Sequence, residues 1–244
     1  MEDKLYFFDE TTSTNDIAKD MIANEFAHGT MIVAKSQVKG RGTYGRSFFS
    51  KQATGIYMSF IIEESKWHFN RPDLATIFTT VAVSEAILKV TKKLPRLKWV
   101  NDLYLNNLKI GGILTETVLD SHKLVIGIGV NVSTKKEDFP QDLQAVAGSL
   151  EIVDDNDEIK TSIITEIARN MLLANKLSDF NECLSLYRLR SIILNHDIVE
   201  VKIGNDAFDA YVVEINDNGQ LVVRKESGEI EILNCGEASA KPRK

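Results

Sequence analysis

Apolar positions along this chain recur with two periods, near two in some blocks and near three and a half in others, which separates strands from helices. Residues 5 to 8 form a short apolar run read as a first strand, and TTSTND behind it is a cluster of helix-capping side chains. Ile17, Ala18, Met21, Ile22 and Phe26 then follow helical spacing, with Gly29 as the expected stop. Residues 31 to 34 and 55 to 62 read as strands. Pro72 opens a second helix, where its missing N–H costs nothing. Leu74, Ile77, Phe78, Val81, Ala82 and Leu88 form the apolar face, and Pro95 ends the pattern.

Residues 97 to 132 predict a three-stranded antiparallel meander with turns at Asn106-Asn107 and Asp120-Ser121-His122. In its last strand Ile126, Ile128, Val130 and Val132 point one way, and Gly127, Gly129 and Asn131 the other. Alternate glycines permit close approach by a ligand or by packed structure, and the strand alone leaves both open. Residues 158 to 190 return to helical spacing, through Ile163, Ile164, Ile167 and Met171, then Phe180, Leu184 and Tyr187. Near Asn195 the texture changes to short strands at 198–203, 210–215, 221–224 and 229–233. Gly204-Asn205-Asp206, Asn218-Gly219 and Ser227-Gly228 supply the turns. A mixed unit of helices and strands followed by a compact all-β module is the predicted organisation.

A length of 244 residues suits one large domain or a large domain with a small appendage. The net charge of −6 argues against a general nucleic-acid binder, which needs a broad basic face. Cys183 and Cys235 follow no metal or redox spacing and suit free thiols in a reducing compartment. His28, His68, His122 and His196 are scattered without zinc spacing. No apolar run of bilayer length is expected. MEDKLYFFDE lacks the features of a signal peptide. The expectation is a soluble, cytoplasmic protein.

Against that acidic balance, KSQVKGRGTYGRSFFSK at 35–51 holds Lys35, Lys39, Arg41, Arg46 and Lys51 and no acid, punctuated by Gly40, Gly42 and Gly45. Clustered cations on a backbone without Cβ atoms suit a phosphate or carboxylate. A solvated basic loop is the alternative. On strand alternation Lys109 is expected on the face opposite Ile110, Gly112 and Leu114.

Four segments in order, STND at 13–16, Q-x-x-GRGTYGR at 37–46, KWVNDLYLNNLKIGG at 98–112 and GIGVN at 127–131, make the chain resemble the biotin protein ligases. The resemblance runs from about Phe7 to the C-terminus. It implies an α+β fold with a mixed, largely antiparallel sheet packed with helices, of the class II synthetase-like kind, followed by a small SH3-like β-barrel. Residues 1–194 would be the catalytic domain and 195–244 the C-terminal one.

The implied activity is ATP-dependent. Biotin is activated as biotinyl-5′-AMP with release of pyrophosphate, then passed to a specific lysine of a biotin carboxyl carrier protein. Two anions must meet, so fixed cations and N–H donors are needed. The resemblance assigns catalysis to Lys109, Arg41 and Arg46. It assigns biotin binding to Ser13, Thr14, Asn15, Gln37, Gly40, Arg41, Gly42, Thr43, Lys109 and Gly112. It assigns ATP and adenylate binding to Arg46, Lys98, Asn101, Asp102, Gly129 and Asn131. Hydroxyls and an amide suit a neutral urea. Ser13 to Asn15 equally suit a helix cap. Asp102 is read as a Mg²⁺-orienting group, a proton acceptor or an ion-pair partner. Mg²⁺ is implied through the ATP phosphates, with no protein metal cluster.

Thr43 stands where many relatives have arginine, Val100 where proline is frequent and Phe48 where tryptophan is common. The chain opens at the catalytic segment without a helix-turn-helix, so no DNA partner is expected. No membrane partner is expected, and a homodimer is among the partners the resemblance admits. A lipoate- or octanoate-transferring enzyme and a catalytically silent biotin sensor are the competing readings.

Overall fold

The computed structural model describes residues 5–24, 26–67, 71–118, 121–152, 157–173, 177, 179–195, 198–204, 206–234 and 238–242. Cys235, His68, His196, Asn205 and Asp120, named above, lie outside them.

A seven-stranded sheet forms the larger unit. Its strands are β1 (Leu5–Thr11), β2 (Thr30–Gln37), β3 (Gly55–Glu63), β4 (Arg96–Lys98), β5 (Asp102–Leu105), β6 (Leu108–Val118) and β7 (Lys123–Asn131). They lie in the order β1-β2-β3-β7-β6-β5-β4. Only β1 and β2 run parallel, so the sheet is mixed and largely antiparallel, as expected. β3, GIYMSFIIE, is buried almost throughout because helices cover both faces of the sheet.

Helix α1 (Thr14–Ile22) packs on one face through Ala18 and Ile22, against Ile32, Ile61 and Val125. Helices α2 (Ala75–Thr91), α3 (Asp157–Leu172) and α4 (Phe180–Arg190) cover the other, with α2 innermost. A short 3-10 turn, Pro72–Leu74, precedes α2. The whole stretch Pro72–Thr91 has the length and apolarity to cross a membrane, which the sequence reading did not expect. It is apolar all round because it is a core helix, with Ile77, Phe78, Val81, Ala82 and Ile87 fully buried.

Two sequence expectations change. Helix α1 stops at Ile22, and Gly29 (φ +83°) instead leads into β2, its N–H donating to Ile61 O at 2.9 Å. Phe26 keeps its apolar role off the helix by packing edge-on against Tyr6, 5.4 Å between centroids. The 97–132 meander has four strands, because Trp99 to Asn101 turn out of line between β4 and β5. Trp99 is buried and donates its indole N–H to Gly219 O at 3.1 Å, and Tyr187 Oη donates to Val100 O at 3.1 Å. The Trp99–Val100 peptide is cis.

The C-terminal module is a five-stranded antiparallel sheet of β8 (Ile198–Ile203), β9 (Asp206–Ile215), β10 (Leu221–Lys225), β11 (Ile230–Leu233) and β12 (Ala238–Pro242), ordered β11-β10-β9-β8-β12. This agrees with an SH3-like domain. The pattern missed β12, a short edge strand ending in proline, where no ladder N–H is needed. The apolar face of the module, with Val199, Val201, Leu221 and Val223, joins the core beneath α2 and α4. The Asn218-Gly219 turn rests on Ile77 and Leu74.

Candidate active site

The site lies on the α1 face of the sheet, where the start of α1, the 38–50 loop and strands β6 and β7 converge. A cavity of about 250 Å³ is walled there by Ser13, Thr14, Asn15, Gln37, Arg41 and Lys109 among others. A second, of about 290 Å³, adjoins it and shares Thr43, Arg46, Asn101 and Ile113.

Ser13 occupies the N-cap position of α1 in extended conformation, yet its hydroxyl makes no capping bond, so it stays available to the cavity. Ser59, fully buried on β3, places Oγ 2.7 Å from Thr14 Oγ1 and 2.6 Å from Asn15 Oδ1. Gln37 Oε1 accepts from the Thr14 backbone N–H at 2.8 Å, and Gln37 Nε2 donates to Ser50 Oγ at 2.8 Å. Asn15 Nδ2 donates to Glu116 Oε2 at 2.8 Å. These bonds join α1, β2, the 38–50 loop, β3 and β6 around a hydrogen-bonding end of the cavity whose own lining, Ser13, Thr14, Asn15 and Gln37, is neutral.

The alternate glycines of β7 have distinct reasons. A Cβ on Gly127 would overlap Asn15 Oδ1 and lie 2.9 Å from Asn15 Cγ. One on Gly129 would lie 2.6 Å from the Phe48 ring. Both alternatives left open by the sequence apply: side chains pack against these glycines, and the same glycines line the cavity. Gly127 pairs with Leu114, and Gly129 with Gly112, on β6. The cavity therefore runs along the strands, from Asn15 past Phe48 to Lys109. Each two-residue step covers about 7 Å.

Lys109 is opposite Ile110, as expected, but shares the cavity face with Gly112 and Leu114. The correction comes from a β-bulge. Leu103 pairs with Gly111 and Tyr104 with Lys109, so Ile110 is an extra residue and the alternation slips. A Cβ on Gly112 would sit 3.6 Å from Lys109 Nζ. Lys109 Nζ is 2.5 Å from Asp102 Oδ1, and Lys98 Nζ lies 4.0 Å from Asp102 Oδ2. Of the three readings of Asp102, the ion-pair partner is the one this geometry displays. Lys98 and Asp102 line the second cavity with Trp99, Thr115 and, from the C-terminal sheet, Glu200 and Lys202. Tyr104 is pushed up to about 12, first by burial and then by Asp102, and stays protonated.

The basic loop divides by position. Lys35 pairs with Asp9 and Lys51 with Asp138, both away from the cavity. Arg41 and Arg46 line it. Arg41 Nη1 is 2.5 Å from Asp16 Oδ1 and its Nη2 is 3.2 Å from Glu116 Oε1. Arg46 donates through Nε to Thr43 O at 3.1 Å and through Nη2 to Thr43 Oγ1 at 2.8 Å, and lies over the Tyr44 ring. Burial would raise the Glu116 carboxyl. Hydrogen bonds from Lys19 and Asn15, with the charges of Lys19 and Arg41, outweigh it and hold the group below its ordinary range.

Two assigned residues fall outside both cavities. Gly40 is a packing position, where a Cβ would overlap Phe48 O and lie 2.6 Å from Ser50 Oγ. Asn131 is buried, with Nδ2 donating to Gly148 O at 2.9 Å and Oδ1 without a hydrogen-bond partner in the structure. The sequence reading missed Ser59, Glu116, Asp16 and Lys19. A lone serine in an apolar strand was the signal for Ser59. Glu116 continues the Gly112-Leu114 face by alternation. Cys183 is buried, and burial pushes its thiol up to about 12, so it is no nucleophile near neutrality. Among the described residues no three His, Cys, Asp or Glu side chains come together to hold a metal.

Residues 7–132 match the model of the biotin/lipoate A/B protein ligase family. The bifunctional ligase/repressor BirA of Bacillus spizizenii is 35% identical over 153 residues, which are 62% of this chain and 47% of that protein. The chain thus spans about half the length of that relative. The biotin–[acetyl-CoA-carboxylase] ligase of Mycobacterium tuberculosis is 23% identical over 217 residues, 87% of this chain and 80% of that one. Among solved structures, the Aquifex aeolicus biotin protein ligase in complex with biotin and ATP superposes with a TM-score of 0.80 at 27% identity, over 98% of this chain and 99% of that chain.

Proposed function

The chain belongs to the biotin/lipoate A/B protein ligase family, and from that premise we propose that it activates biotin with ATP and transfers it to a lysine of a biotin carboxyl carrier protein. The observation that carries this reading is the polarity of the first cavity. One end is neutral and hydrogen-bonding at Ser13, Thr14 and Asn15, the middle is walled by Phe48 and Leu114 over Gly127 and Gly129, and the far end holds the Lys109 ammonium. Biotin has the matching order of cyclic urea, apolar ring and chain, and carboxylate. A lipoyl ring offers no N–H to the neutral end. Sites built to bond such a group reject the analogue lacking it by factors on the order of 10⁴.

In the first step a biotin carboxylate oxygen attacks the α-phosphorus of ATP, forming the mixed anhydride and releasing pyrophosphate. In the second, the carrier lysine amine attacks the anhydride carbonyl, forms the amide and releases AMP. Lys109 holds the carboxylate and α-phosphate together against their repulsion, Arg41 lies beside biotin and the adenylate, and Arg46 holds the phosphate oxygens. Lys98, Asn101, Asp102 and Gly129 belong to the adenylate side. Asp102 positions Lys109. Mg²⁺ would enter with ATP and offset its phosphate charge, since among the described residues no three His, Cys, Asp or Glu side chains come together to hold it. We place the catalytic unit at 1–194 and the β module at 195–244, whose Glu200 and Lys202 close the far wall of the second cavity. DNA is not among the proposed partners, in keeping with the acidic charge of −6. A cytoplasmic setting belongs to the proposal, as does a homodimer, which sizing with and without biotin tests.

The deciding assay is pyrophosphate release from Mg-ATP with biotin, lipoate or no acid. Release that needs biotin is expected. Release with lipoate alone moves the protein to the sister activity, and biotin binding without release makes it a sensor.

Thr43 touches both cavities and accepts a bond from Arg46. Thr43→Arg adds a cation at their junction and is expected to slow dissociation of biotinyl-adenylate, read by stopped-flow release. Equal dissociation rates for the two proteins exclude this role for position 43.

A further inference from the structure

We propose that Glu116 is a positioning residue that fixes the direction of the Asn15 amide, so that the cavity presents an acceptor and selects a ligand with an N–H donor. The inference rests on the biotin reading above and adds the residue that sets its urea specificity.

An ionised carboxylate only accepts hydrogen bonds, so the face of Asn15 turned to Glu116 must be its NH₂. Nδ2 lies 2.8 Å from Glu116 Oε2, and its other hydrogen is directed to Leu114 O at 3.4 Å. Both donors are thereby used within the protein. Oδ1 then faces the opposite way, over Gly127, where Ser59 Oγ lies 2.6 Å away. One lone pair of that oxygen remains for a ligand. Reversing the amide would set two oxygens against each other at Glu116.

The other carboxylate oxygen has separate work. Oε1 is 2.7 Å from Lys19 Nζ and 3.2 Å from Arg41 Nη2. These cations keep a half-buried carboxylate ionised, which is the condition for orienting the amide. The same group thus links the neutral end of the cavity to the loop arginine.

The test is a polarity swap read by biotin titration calorimetry. Asn15→Asp sets two carboxylates together and removes the donor, and is expected to weaken biotin binding by roughly 10²-fold. Combining Asn15→Asp with Glu116→Gln restores a bond in the reverse sense. The amide introduced at position 116 donates to one oxygen of the carboxylate introduced at position 15, and the second oxygen of that carboxylate takes the place of Asn15 Oδ1. Partial recovery, to within about tenfold of the unsubstituted protein, is expected, because Leu114 O then loses its donor. General loosening of the fold would not be reversed by a second substitution. A double variant that melts normally but binds no better than Asn15→Asp overturns the inference. If Asn15→Asp does not fold, Glu116→Leu serves instead, and unchanged biotin affinity there also overturns it. Absence of biotin binding by the unsubstituted protein sinks the reading of the site itself, and this inference with it.

Discussion

Lys109→Ala is expected to slow biotin-dependent pyrophosphate release by roughly 10²–10³-fold, the scale for losing one preorganised electrostatic group. The structure gives two reasons for a loss of this size. The ammonium is the cation that the β6 bulge turns toward Gly112 and the cavity. Its removal also leaves Asp102, 2.5 Å away in the intact protein, facing incoming anions, with Lys98 at 4.0 Å as its more distant ion-pair partner. Asp102→Asn in the Lys109→Ala background is therefore expected to recover part of the rate. Single-turnover release at saturating biotin and ATP separates chemistry from binding. A near-normal rate for Lys109→Ala removes it from the catalytic group. Arg41→Ala is expected to lose activity on the same scale, although Arg41 also holds Asp16 and Glu116.

Gly127→Ala is expected to weaken biotin binding by roughly 30- to 1000-fold, or about 2–4 kcal/mol, the scale for a ligand N–H left unpaired when Asn15 is displaced from the cavity. The constraint is space and not backbone freedom, since Gly127 is not among the positive-φ glycines. The added methyl would overlap Asn15 Oδ1, and the amide would have to leave Ser59 and Glu116 to make room. Because Asn15 would leave Ser59 and Glu116 in the free protein as well, thermal stability should also fall, and affinity is compared at a temperature where the variant is folded. Gly129→Ala meets the Phe48 ring instead. It should disturb the loop and spare the neutral end of the cavity. Biotin affinity unchanged in Gly127→Ala would mean that Asn15 does not contact the ligand.

The chain by itself determined the parts of this protein that depend on local pattern. Alternation marked the two faces of β7, and helical spacing placed α2 between Pro72 and Pro95. The charge and glycine of the 35–51 loop singled out the segment whose Arg41 and Arg46 line the first cavity, and the ordered motifs pointed to the other residues around it. Tertiary structure alone decided what depends on a second segment. The face of Lys109 is set by a bulge, which is a property of two paired strands and is invisible in one. Gly40 proved to be a packing position because Phe48 and Ser50 cross it. Ser59 and Glu116 reach Asn15 from 44 and 101 residues away, so no local period could reveal them. The same holds for the second cavity, whose far wall comes from Glu200 and Lys202 of the C-terminal sheet. Periodicity reports which side of an element is apolar. Which polar groups meet across that element is fixed only when the sheet pairs and the helices pack on it.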